Sequence, residues 1–194
     1  MDNFKYKSGC FASIAIVASL LLFSCHDSSA QSLSLSTNIA DWADLGTMNA
    51  DMSYSVARHW TVGAGAQYNP FTFTDGSGSV IQDREQSYSI MTRFWPWHVY
   101  SGWFFGSKVQ YQEFNRGGII SEQSREGDRY GTGISTGYAK MLSPHFNLEL
   151  GLSAWIGREF YTVYSCPVCG SVVDKGQKTF VLPDGVIMSL AYIF

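Results

Sequence analysis

The sequence predicts an all-β protein: a single antiparallel, up-and-down transmembrane β-barrel of about eight strands, preceded by a signal peptide. Three observations carry this. Charged residues make up only 15% of the chain while aromatic residues reach another 15%, alongside 19 glycines, a balance foreign to a water-soluble globule. Beyond residue 30, apolar side chains alternate with small or polar ones at period two, and no apolar run is long enough for a membrane helix. The links between these segments alternate between brief and long, as an up-and-down barrel with short turns at one end requires.

Residues 1–30 read as the secretory signal, with Lys5 and Lys7 at its start, an apolar stretch from Phe11 to Phe23, and small residues Ser28 and Ala30 where a peptidase cleaves, so cleavage is expected after Ala30. A competing reading takes Leu22-Phe23-Ser24-Cys25 as a lipobox with Cys25 lipidated, although Phe23 fits it poorly. The barrel domain then occupies residues 31–194.

Within it the first strand carries Leu33, Leu35, Thr37 and Ile39, and the second sets Met48, Ala50, Met52, Tyr54 and Val56 against Asn49, Asp51 and Ser53. Trp60 to Tyr68, Tyr88 to Phe94, Trp103 to Tyr111 and Tyr130 to Tyr138 repeat the pattern, with glycines or polar residues on the alternate face. Phe146, Leu148, Leu150, Leu152, Ala154 and Ile156 alternate with Asn147, Glu149, Gly151, Ser153, Trp155 and Gly157. The last strand places Val186, Met188, Leu190, Tyr192 and Phe194 on one face, which should meet lipid.

Brief links are expected at Ala57-Arg58, Pro96-Trp97 and Ser143-Pro144, and long polar loops at Phe71 to Glu85, Asn115 to Gly127 and Val163 to Lys178, with a shorter outer link at Asp41 to Asp44. An even strand count puts both termini on the short-turn, periplasmic side. Aromatic girdles are expected from Trp60, Trp95, Trp97 and Trp103 at that end and from Tyr68, Tyr111, Phe160 and Tyr161 at the other. A soluble lipocalin-like barrel or sandwich would place its bulky residues inside, the reverse of this polarity.

Several segments together resemble the outer-membrane barrels of Gram-negative bacteria grouped as domain of unknown function 3575. They are Arg58-His59-Trp60-Thr61-Val62, Tyr68-Asn69-Pro70-Phe71-Thr72-Phe73, Arg93-Phe94-Trp95, Gly102-Trp103-Phe104-Phe105-Gly106, Cys166-Pro167-Val168-Cys169-Gly170 and Leu190-Ala191-Tyr192-Ile193-Phe194. The resemblance covers most of the region after the signal. It implies a small OmpA- or OmpX-type barrel in the outer membrane, supplies no activity, and hints through some relatives at fimbrial gene clusters. Leu190, Tyr192 and Phe194 resemble the C-terminal signal read by the barrel assembly machinery, which is then an expected partner.

Four ionisable side chains fall on inward positions: Asp51, Arg93, Lys108 and Glu149. Their charges cancel, and an interior only wide enough for side chains favours a structural ion network over a conducting pore. Cys166 and Cys169 suit a local disulfide in an oxidising compartment, with half of a metal knuckle or a redox pair as the alternatives. His59, His98 and His145 fall at short turns, on the far side from that loop. Ser165, Asp75 and Glu159 near the outer rim make a poor catalytic set without a histidine, so an enzyme is not expected, nor a cofactor. The net charge of −3, with no basic cluster, excludes nucleic acid as a partner. The expectation is a non-catalytic barrel presenting loops for surface interaction, appendage assembly or envelope integrity. A narrow channel and an outer-rim lipid-modifying enzyme stand as the rivals.

Overall fold

The structure is a computed structural model that describes residues 32–43, 46–74, 80–117, 123–166 and 169–194. The expected signal segment, its cleavage site, Cys25 and Asp75 lie outside the described residues. Strand β1 (Leu33–Asn38) leads into a short helix α1 (Ile39–Ala43). Then come β2 (Met48–Ala57), β3 (Trp60–Asn69), a brief β4 (Thr72–Thr74), β5 (Val80–Phe94), β6 (Gly102–Gly117), β7 (Ser124–Met141), β8 (Phe146–Cys166) and β9 (Cys169–Ile193). Neighbours in sequence pair antiparallel, except that β3 passes over β4 to pair with β5. Strand β9 returns to β1, from Ser34 opposite Ile193 to Asn38 opposite Ser189, which closes eight strands into a barrel and leaves β4 as a flap on β5. Closure leaves no open edge around the barrel's lower part. Among the described residues, the start of β1, the end of β9 and the links at 58–59, 95–101 and 142–145 lie at one end, here the lower.

The period-two pattern decides which side chains face out. Ile134 and Leu152 stand 71% and 63% exposed on the outer surface, while their strand neighbours turn inward. The outward belt is bounded by rings. Below, Trp60 packs on Phe94 at 5.1 Å, Trp103 on Tyr138 at 5.6 Å and Phe146 on Tyr192 at 5.1 Å. Above, the register sets Tyr88 beside Tyr111 and Tyr111 beside Tyr130, and Tyr130 stacks on Phe160 at 5.9 Å. From Trp60 to Tyr68 strand β3 rises about 26 Å, or about 20 Å along the barrel axis for strands tilted by about 40° to it. No helix among the described residues is long and apolar enough to cross a membrane.

Four expectations need correction. Trp95 is not a girdle residue: it is 0% exposed inside the lower end. Tyr161 belongs to the inward face of β8, where the Arg125 guanidinium lies 4.0 Å over its ring. Ile39 falls in α1, not in the first strand. The three long loops are mostly strand, because β5 begins at Val80, β6 ends at Gly117, β7 begins at Ser124, and β8 and β9 run to Cys166 and from Cys169. The sheet from β5 to β9 therefore continues above the tyrosine ring as a wall, while β1 to β3 stop near it.

Candidate functional site

The inward face is built in layers. At the bottom, odd-numbered parity on β5 carries Trp95 inward just past the strand end, where its indole Nε1 donates to Thr61 Oγ1 at 3.1 Å. Tyr100 meets it edge-on at 5.9 Å and Phe104 tilts against it at 5.2 Å, with Ala139 and Ile193 completing the cluster. Tyr100 holds a left-handed backbone, φ 63°, rarely adopted by a bulky residue. Its hydroxyl donates to Ser53 O at 3.1 Å and its carbonyl accepts from Asn147 Nδ2, which fixes that turn across the lower mouth. This apolar cluster fills the lower end of the lumen.

Directly above it, Arg93 Nη1 bonds Glu149 Oε2 at 2.8 Å, the Glu149 side chain being buried and that of Arg93 12% exposed, and the same guanidinium lies 4.8 Å over the Phe104 ring. Asp51, Arg93 and Lys108 share the wall of one cavity of about 80 Å³. Asp51, Arg93, Lys108 and Glu149 all turn toward the lumen, and a direct ion pair joins Arg93 to Glu149. Such a pair contributes little net stability against an apolar replacement, but loss of one partner leaves an uncompensated charge.

A second, larger network occupies the upper half. Glu159, 1% exposed, receives Arg125 at 2.5 Å, Arg129 at 2.5 Å and Lys178 at 3.7 Å. Arg129 also stacks 4.0 Å over Phe114. Facing it, Arg116 binds Asp83 at 2.6 Å and Glu85 at 2.8 Å, and Gln112 Nε2 donates to Glu85 at 2.8 Å. Of these residues the sequence alone singles out Glu159, and only as a rim carboxylate. Its oxygens are committed to three cations. Continuing the inward parity of β7 through Gly127 would have reached Arg129 and Arg125.

On the outer face above the ring, Tyr164 donates to Glu126 at 2.5 Å, and this bond to a carboxylate pushes the phenol above its ordinary pKa. The Tyr111 hydroxyl lies between Glu113 and Asp128, 3.0 and 2.9 Å from their carboxylate oxygens, and shares its one proton between them. At the hairpin tip Cys166 is disulfide-bonded, and the register sets it opposite Cys169. Ser165 is exposed beside it. The histidines stay at the lower end: Nδ1 of His59 lies 2.8 Å from Trp95 O and Nδ1 of His145 lies 2.9 Å from Ile193 O. His98 bridges to Ser101 in the β5–β6 link. Among the described residues no three or more histidine, cysteine or acidic side chains gather as a metal site. Leu190, Tyr192 and Phe194 share the face of the closing strand, with Tyr192 wedged among Phe146, His145 and Phe194.

A family model described as Protein of unknown function (DUF3575) matches residues 16–194. No curated protein and no solved structure matches the chain. With nearly its whole length inside that model, the chain belongs to the DUF3575 family, whose function is unknown.

Proposed function

We propose that this is a non-catalytic outer-membrane barrel that presents its projecting wall to a partner at the cell surface, in adhesion, appendage assembly or envelope integrity. The observation that carries the reading is the apolar belt, which ends at a ring of tyrosines while β5 to β9 continue beyond it. Exposed apolar side chains on this scale are costly in water and suit hydrocarbon. The upper strands, lined by ion pairs and tied at the tip by Cys166, then form a rigid platform in the outer aqueous layer. Export by a signal cleaved after Ala30, and insertion by the assembly machinery reading Leu190, Tyr192 and Phe194, belong to the same reading. The plug of Trp95, Tyr100 and Phe104 supports a scaffold over a channel, since it occupies the path an ion would take.

The test replaces residues 164–173 with an Asn-Gly turn, which can join the paired Val163 and Asp174. The barrel is expected to keep its heat-modifiable folded band on gels while surface attachment of expressing cells falls about tenfold. Unchanged attachment with an intact barrel would overturn the reading. In planar bilayers the wild-type protein is expected to be silent; stable unitary steps abolished by Arg93→Ala would replace the scaffold with a channel.

A further inference from the structure

The lumen above the plug is not filled. A cavity of about 280 Å³ lies between Gln67, Gln112, Arg129, Trp155 and Leu182, and the smaller one of about 80 Å³ lies beneath it. Gln110 lines both. It is 4% exposed and, among the described residues, has no hydrogen-bond partner for its side-chain amide. Its amide is not one of the fully enclosed polar atoms left without a partner, so it faces the cavity, where a molecule offering both a donor and an acceptor can pair with it.

The surrounding chemistry restricts what that is. The guanidiniums at the cavity wall are matched by the protein itself, Arg116 by Asp83 and Glu85 and Arg129 by Glu159. A charged ligand would have to compete with those pairs, whereas a neutral one leaves them intact. Gln110 offers a donor and an acceptor side by side, the pattern that matches vicinal hydroxyl groups. Gln67 is already occupied, donating to Asp41 and accepting from Ser87. Trp155 on β8, packed edge-on against Phe180 at 4.5 Å, and Leu182 beside it on β9 give the adjoining wall an apolar lining for the C–H face of a ring. With the bottom plugged, the space is a blind cup that a molecule enters and leaves from the upper end, at the small limit of ligand pockets.

We propose that the upper lumen is a binding site for a free, neutral, polyhydroxylated molecule of about one sugar ring, held by the Gln110 amide and laid against Trp155 and Leu182.

The experiment titrates the full chain, in a sugar-free detergent, with methyl α-D-glucopyranoside by ligand-observed NMR, beside glucuronate, glucosamine and maltotriose as comparators. Saturable millimolar binding of the glucoside is expected, with each comparator at least about tenfold weaker. Gln110→Met, which keeps the side chain's length, should weaken binding about tenfold while the folded band persists. Should that variant fail to fold, Leu182→Trp, which fills the cavity from the adjoining wall, should block binding equally. Absence of saturable glucoside binding would mean that the cup holds water alone and would overturn the proposal. So would binding indifferent to these substitutions, and equal binding of maltotriose would overturn the assignment to a free single ring.

Discussion

Glu159→Ala should lower the stability of the barrel by about 3–5 kcal/mol, the scale of breaking a buried ion cluster from one side. The carboxylate is enclosed, and Arg125, Arg129 and Lys178 converge on its two oxygens. Removing it leaves three cations facing one another on the upper wall, with Arg129 unable to escape because its guanidinium is stacked over Phe114. Arg125→Ala should cost clearly less, since that side chain is 31% exposed and two cations remain on Glu159. Urea unfolding followed by tryptophan fluorescence measures both. A loss below about 1 kcal/mol for Glu159→Ala would show that the cations find water and that the network does not hold the wall together.

Gly137→Val should abolish folding altogether. Gly137 lies opposite Gly151 where β7 and β8 approach closely. A Cβ at Gly137 would sit 2.4 Å from Leu150 O, 2.6 Å from Phe104 Cζ and 2.9 Å from Gly151 Cα. Two of these are backbone atoms of the paired strand, so relief requires separating the ladder, and the third belongs to the ring that completes the lower plug. The heat-modifiable band should vanish, with the protein recovered unfolded. Gly170→Val is the control, because nothing lies within 4 Å of a Cβ there, and it should leave the band unchanged.

The belt is legible from sequence because the outward positions there are bulky and apolar, so each strand shows a strong contrast between neighbours. Leu148 to Ile156 on β8 and Val186 to Tyr192 on β9 are read correctly by that contrast. For the same reason Asp51, Arg93, Lys108 and Glu149 stand out, each being a charge between apolar neighbours. Above the belt the outward residues need no longer be apolar. Gln112 beside Glu113 and Asp128 beside Arg129 alternate polar with polar, and the strands look like loops. The Glu159 cluster was hidden by this loss of contrast, and glycines such as Gly127 strengthened the loop reading.

Trp95 teaches a different lesson. Its parity with Arg93 places it inside, but a tryptophan at a strand end also suits a headgroup boundary, so residue type and position point in opposite directions. The hydrogen bond to Thr61 gives its N–H a partner inside and removes the reason for a wet boundary site. The unpartnered amide of Gln110 could not be read at all, because whether a side chain finds a partner depends on three strands meeting across the lumen.

The proposed membrane location requires the bulky outward residues to meet hydrocarbon. Spin labels placed singly at Thr132, Ile134, Leu150 and Leu152, and at inward Ser135 and Ser153, in liposomes, measure this through collisions with oxygen and with a water-soluble nickel chelate. The account predicts high oxygen and low nickel accessibility at the four outward sites, with little oxygen exposure at the two serines. Nickel-accessible labels at Ile134 and Leu152, or oxygen maxima at Ser135 and Ser153, would contradict it.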